Sequence, residues 1–344
     1  MIKSLLEIWY YYIFLILILM ISEIFKIRTF SICKTLLFLL QNKSKYLKKI
    51  VFCFVFLILG VLPIPGRIII IDSLLNTFEN NKDKFGNLSY LVTHHYYLWS
   101  PLEPSVIISL ATLDLRYVTF LEMMIIPLVL YFIFTLIYLI FFIDSKNFQI
   151  TGNIGNINQD IKSDLYDFSL IILSIFLAAI FNNPLYLCVI YLIVFLILLI
   201  KYKIPFTKVF TLIDIGFTLS FLLILILAVL IKNNIIINKQ LILTYIEHYN
   251  YNILYIIPII FILSFIFGSS SKYAAITAYA TLVIGIKYFP LFYIIDYCAY
   301  LLSPLHKCTF FILFKYNKKF MYFILIFCII LSMIYSLYFY TFII

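Results

Sequence analysis

Charge is scarce in this chain: 12% of its 344 residues are Asp, Glu, Lys or Arg, against 65% that are hydrophobic. A water-soluble domain carries about twice that share of charge and a smaller apolar fraction, so the composition excludes an ordinary soluble fold. Glycine is scarce too, with eight residues in all. That leaves little room for a phosphate-cradling loop, and neither a GxGxxG nor a P-loop motif occurs. GxSxG, HExxH and aspartate-rich metal–pyrophosphate motifs are also missing, so no catalytic set is legible. The six cysteines (Cys33, Cys53, Cys188, Cys298, Cys308 and Cys328) stand singly in or beside apolar segments. They lack CxxC, metal-ligand spacing and a disulfide framework, and read as small membrane-embedded hydrophobes with no metal role. No stretch alternates apolar and polar residues, which excludes a transmembrane barrel.

What the chain has is apolar length. Runs such as 121–143 and 215–231 reach the roughly 20 residues that a helix needs to cross a hydrocarbon core of about 30 Å. Many such runs succeed one another, with a mean hydropathy of +1.13. The expected fold is therefore all-α, a polytopic transmembrane helix bundle. The first run, LLEIWYYYIFLILILMIS, is too long and aromatic for a cleaved signal and reads as a span or interfacial anchor. Several of the 29 tyrosines are expected at headgroup level.

The formal charge of +10 does not point to nucleic acid. The basic residues gather in short loops: Lys43, Lys45, Lys48 and Lys49; Lys201, Lys203 and Lys208; Lys315, Lys318 and Lys319. By the positive-inside rule these three loops are cytoplasmic, which makes the protein a multi-pass component of the cytoplasmic membrane. The segment 144–167, with Asp144, Asp160, Asp164 and Asp167 and no basic cluster, is expected outside.

Some apolar runs are interrupted. VLPIPGRIII breaks 50–75 at Pro63, Pro65 and Gly66; Asn182, Asn183 and Pro184 break 168–200; GSSSK breaks 251–302 at Gly268, Ser269, Ser270, Ser271 and Lys272. Proline removes a backbone donor and clashes with the preceding turn, so no straight helix passes through PIPG. Such breaks are tolerated at membrane depth only where the freed backbone faces protein or water, and in transporters they mark discontinuous or re-entrant helices. The Asn-Asn-Pro break reads as a simple kink or loop. The other two come with a partner. YLWSPL at 97–102 comes after the first break, and YLLSPL at 300–305 after the second, both at an offset of about 203–205 residues. Two matching features at one offset point to internal duplication, with an N-terminal repeat in 1–160 and a C-terminal repeat in 161–344. Segments as short as 29–41 and 105–118 leave open whether the repeats are inverted.

The chemistry expected at these places is binding. A helix starting after a break offers free N–H groups to an anion, Arg67 and Lys272 offer countercharge, and the GSSS hydroxyls add donors. Ser100 and Ser303, each before a proline, present carbonyl and hydroxyl oxygens to a cation or substrate. Glu103 comes just after one motif and His306 just after the other, so Glu103 can carry a proton or neutralise a sodium ion, and His306 titrates in a range useful for carrying a proton. Asp72 and Asp296 are lone acids in apolar surroundings. His94, His95 and His248 lie in polar stretches and read as solvated.

At Leu62–Gly66, at His94 through Ser105, and at Ser303-Pro304-Leu305-His306-Lys307-Cys308, the chain resembles an integral-membrane family known only as domain of unknown function four hundred and one. That family is grouped distantly with the anion permeases of the ion transporter superfamily. The resemblance implies broken helices, two repeats and an anionic solute. It covers about residues 50–310, with departures: Arg67 replaces a glycine, Thr93 and Tyr97 replace charged residues, and Glu103 replaces a tyrosine.

The sequence thus points to an ion-coupled secondary transporter for a small anionic solute, with sodium or protons as coupling ions and no organic cofactor. A homodimer in the lipid bilayer is compatible with it. The alternatives are a lipid-modifying membrane enzyme using His94, His95 and Glu103, and a non-transporting scaffold.

Overall fold

The computed structural model describes residues 8–25, 82–143, 161–181, 183–209, 256–268, 270–315 and 319–342, with scattered positions between 44 and 50 and between 211 and 244. Among the described residues all regular structure is helical: α1 (Ile8–Phe25), α2 (Lys82–His94), α3 (Pro104–Leu113), α4 (Tyr117–Phe142), α5 (Ile161–Ile180), α6 (Pro184–Tyr202), α7 (Thr218–Leu227), α8 (Ile256–Phe267), α9 (Ser270–Ile284), α10 (Phe289–Leu302), α11 (Lys307–Lys315) and α12 (Phe320–Phe342).

Four of these helices are long and apolar enough to cross a membrane: α1, α4, α6 and the central part of α12. On α4, Ile125, Val129, Ile133, Leu136 and Ile140 are exposed, while Phe120, Met124, Tyr131 and Tyr138 are buried. With Pro127 and Thr135 added to the buried set, both sets recur every three or four residues, so each makes one stripe, and both stripes are largely apolar. An outward apolar stripe of this length is unfavourable in water and suits hydrocarbon.

Proline places several helix starts. Pro104, Pro184 and Pro290 stand at the first or second helical position, where the missing N–H costs nothing. Asn183 caps α6 by accepting from the Leu185 N–H at 2.9 Å, so the break ends in a helix cap at Asn183-Pro184, in keeping with the expectation of a kink or loop; Asn182 lies outside the described residues.

The packing is largely antiparallel. In the α5–α6 hairpin the Tyr191 hydroxyl donates to the Ser174 carbonyl at 2.9 Å, and Lys201 pairs with Asp167 at 2.5 Å. This pair corrects the sequence-based topology. Asp164 and Asp167 are buried residues of α5, not part of an external loop, and Asp167 sits at the same end of the hairpin as Lys201. Asp164 and Asp167 outside and a Lys201 loop inside are therefore incompatible. Summing charges over loops misses this because the lysine is neutralised by a partner 34 residues away.

Two further hairpins resemble each other. The Tyr131 hydroxyl donates to the Leu91 carbonyl and the Tyr138 hydroxyl to the Lys84 carbonyl, which lays α2 antiparallel on α4. Tyr288 packs on Phe339 at 5.6 Å, and Cys298 meets Cys328 and Ser332, which lays α10 antiparallel on α12. Finally α4 meets α12. Tyr131 touches Phe327 at 5.1 Å, Phe134 touches Phe327 at 4.5 Å, and Tyr138 touches Phe323 at 4.7 Å. As α4 advances, its partners on α12 recede, so these two long helices also run antiparallel.

Candidate functional site at two Ser-Pro turns

Each Ser-Pro step ends one helical segment and launches another. After α2, a 3-10 turn spans His95–Leu98. The Ser100 N–H then donates to the Tyr96 carbonyl at 2.7 Å, and the Glu103 N–H to the Ser100 carbonyl at 3.1 Å. The Leu102 N–H donates to Ser100 Oγ at 3.3 Å. At the end of α10, the Ser303 N–H donates to the Tyr300 carbonyl and the His306 N–H to the Ser303 carbonyl, both at 3.2 Å. The Leu305 N–H donates to Ser303 Oγ, also at 3.2 Å. The next helix begins alike in both places, through Ile107 N–H to Glu103 carbonyl and Phe310 N–H to His306 carbonyl.

The cause is local. Proline bars the helical region to the residue before it, and Ser303 duly sits at φ −64°, ψ 125°. The freed amides need acceptors, and a serine hydroxyl in such a turn supplies one.

Tyrosines tie the two turns together. The Tyr90 hydroxyl donates to the Leu301 carbonyl at 3.3 Å and contacts Thr309 Oγ1 at 2.7 Å. The Tyr293 hydroxyl donates to the Tyr97 carbonyl at 2.9 Å and contacts Ser105 Oγ at 3.1 Å. Each tyrosine thus reaches the end of the helical segment before the other turn and a hydroxyl in the short helix after it. Tyr97 packs on Tyr300 at 4.7 Å, and the Tyr297 hydroxyl donates to the His94 carbonyl at 3.0 Å.

The polar side chains at the turns differ. Glu103 is buried and Oε1 accepts from Ser105 Oγ at 3.4 Å. His306 is buried among hydroxyls: Tyr300 at 2.7 Å from Nε2, and Tyr90 at 3.2 Å and Thr309 at 3.1 Å from Nδ1. Gly268 closes over the second turn. Its φ is +56°, and a Cβ there would lie 2.7 Å from the His306 nitrogen and 2.8 Å from Ser303 Oγ. Only glycine allows this approach in this conformation.

Of the residues singled out from sequence, Gly268, Ser303 and His306 therefore meet, and Ser100 and Glu103 occupy the matching turn. Ser270, Ser271 and Lys272 form the first turn of α9, with side chains outside the described residues. Pro63, Pro65, Gly66, Arg67, Asp72, His248 and Ser269 lie outside them altogether. Asp296 is buried and accepts from the Ser264 hydroxyl of α8, so it is not alone.

One expectation is overturned. His94 and His95 are each 1% exposed, not solvated. His94 stacks on Tyr90 with centroids 3.9 Å apart, and His95 Nδ1 accepts from Trp99 Nε1 at 2.7 Å. A run of histidines and tyrosines looks polar letter by letter, but its rings can bury once each polar tip has a partner. Tyr90, Tyr293 and Thr309 are not singled out by sequence, and Tyr300 enters only as the first letter of YLLSPL; among 29 tyrosines nothing else distinguishes Tyr90, Tyr293 and Tyr300 except their nearness to the turns.

A cleft of about 350 Å³ between α8, α10 and α12 is lined by Ile257, Phe261, Ile295, Cys298 and Ser332, and no turn residue lines it. No family profile matches the chain, and no curated protein matches it.

Proposed function

We propose that this protein is a multi-pass secondary transporter of the cytoplasmic membrane, built from two inverted repeats, that moves a small anionic solute coupled to sodium or protons. The observation that carries this reading is the recurrence of one hydrogen-bond pattern at Ser100–Glu103 and Ser303–His306, joined to the antiparallel run of α4 against α12. Helices at matching places in two halves that point in opposite directions are what a pseudo-twofold axis in the membrane plane produces. Reciprocal contacts are its local signature: what Tyr90 does to the second half, Tyr293 does to the first.

On this reading the turns flank the solute and ion path. Glu103 and His306 are ionisable groups buried with hydroxyl partners, a placement that in membrane proteins accompanies ion pathways. Kinship with the anion permeases of the ion transporter superfamily belongs to the same proposal. Both turn serines are closed off in this conformation, Ser100 and Ser303 being 0% exposed, so transport requires an opening that parts α8 from the second turn.

The test is uptake of candidate dicarboxylates and oxyanions into proteoliposomes under imposed sodium or proton gradients. Gradient-driven uptake that falls at least severalfold in Ser303→Ala and Glu103→Gln is the expected result. Uptake indifferent to both substitutions removes the turns from the path.

A further inference from the structure

The second turn holds more than a transport path needs. His94, His306 and Cys308 present ligand atoms that all lie within 4.8 Å of one another. We propose that these three residues form a binding site for one soft transition-metal ion, zinc or monovalent copper, at the seam between α2 and the start of α11. The proposal does not depend on transport.

Three features support it. The first is spacing. Around a tetrahedral ion with bonds of about 2.0–2.3 Å, ligand atoms sit roughly 3.3–3.6 Å apart, so the set closes by side-chain movements of about 1 Å. Second is preparation of a ligand. His94 Nδ1–H donates to the Tyr90 carbonyl at 2.8 Å, which leaves the lone pair on Nε2, and Tyr90 stacks flat on the ring and holds its plane. A backbone carbonyl behind the far nitrogen is the usual support of a metal-binding imidazole. His306 is ringed by the hydroxyls of Tyr90, Tyr300 and Thr309, which can each donate or accept, so either nitrogen can be released to a metal. Third is chemistry. Two imidazoles and a thiol without a carboxylate select zinc or copper over magnesium or calcium. A thiolate offsets one positive charge, which leaves bound monovalent copper neutral and suits a site this buried.

The matching positions in the other half are Glu103 and Ser105, which stand where His306 and Cys308 stand, and Tyr297 stands where His94 does. That second set has neither imidazole nor thiol. The proposal therefore specifies one ion per chain, not two.

The experiment uses the full-length protein in detergent, stripped with a chelator and titrated with cobalt as a coloured stand-in for zinc, with zinc itself, and with monovalent copper in the absence of oxygen. The expected result is one ion per chain and a thiolate-to-cobalt charge-transfer band. Cys308→Ser should abolish that band, while Cys328→Ser leaves it intact. His94→Gln should weaken binding by more than about 100-fold, beyond the loss typical of an outer-shell partner. The ion bound more tightly by the intact protein names the metal. If the unsubstituted protein shows no charge-transfer band and binds neither zinc nor copper stoichiometrically, the proposal fails whatever the variants do. It fails equally if folded Cys308→Ser and His94→Gln bind as the parent does.

Discussion

The two Ser-Pro turns share a backbone and differ in their surroundings. Leu102 is 0% exposed, whereas Leu305, its counterpart, is 66% exposed, and Pro304 is exposed with it. After the first turn come a carboxylate and a hydroxyl, Glu103 and Ser105; after the second, an imidazole and a thiol, His306 and Cys308. The bonds after each serine match, while the Ser100 N–H reaches back four residues and the Ser303 N–H three, so serine before proline is enough to build the turn on two different helix ends. The differing side chains show that the turn leaves its chemistry free.

The sharpest way to break the comparison is topological. Arg116 and Lys319 both stand just before a long helix, α4 and α12, and both are exposed. On the proposed inverted arrangement, the antiparallel helices put them on opposite faces of the membrane. Single cysteines at the two positions, in a background lacking other reactive thiols, should react with an impermeant maleimide from opposite sides. Labelling from the same side would refute the inverted arrangement while leaving the two turns as they are.

Next in size is Gly268→Ala. A left-handed backbone costs a side chain about 1–2 kcal/mol, and a methyl pressed on the backbone of the second turn adds about 1–3 kcal/mol. Gly285→Ala is the control, because a Cβ there meets nothing within 4 Å and only its φ of +135° opposes the change, for about 1–3 kcal/mol. Thermal unfolding in detergent should rank Gly268→Ala below Gly285→Ala. The reverse order would mean that α8 does not press on the turn.

The smallest effect separates the turns themselves. Ser100→Ala leaves a buried Leu102 N–H without its Ser100 Oγ acceptor, for about 1–3 kcal/mol. Ser303→Ala does the same at the more exposed Leu305, where solvent can substitute, for about 0.5–1 kcal/mol. Equal losses would show that the difference in exposure has no energetic weight.

Much of the fold is legible in the sequence because its causes are local. Apolar runs of spanning length become helices; Asn183-Pro184 caps one of them; the two SPL motifs become matching turns. The misreadings share one origin. Weighed only by its neighbours in sequence, Asp167 reads as part of an external loop, and His94 and His95 read as solvated. Their partners are remote or specific: Lys201 for Asp167, Tyr90 and Trp99 for the histidines.

That this chain is helical and apolar, and that it turns at two serine-proline steps, follows from its residues alone. Those outcomes come from hydrophobic transfer and from steric limits acting within a few residues. Tertiary packing alone brings Tyr90 to Thr309 across 219 positions, sets α4 against α12, and places two histidines and a cysteine side by side. Contacts of that range depend on how helices pack side by side, and many sequences with the same local pattern would pack differently.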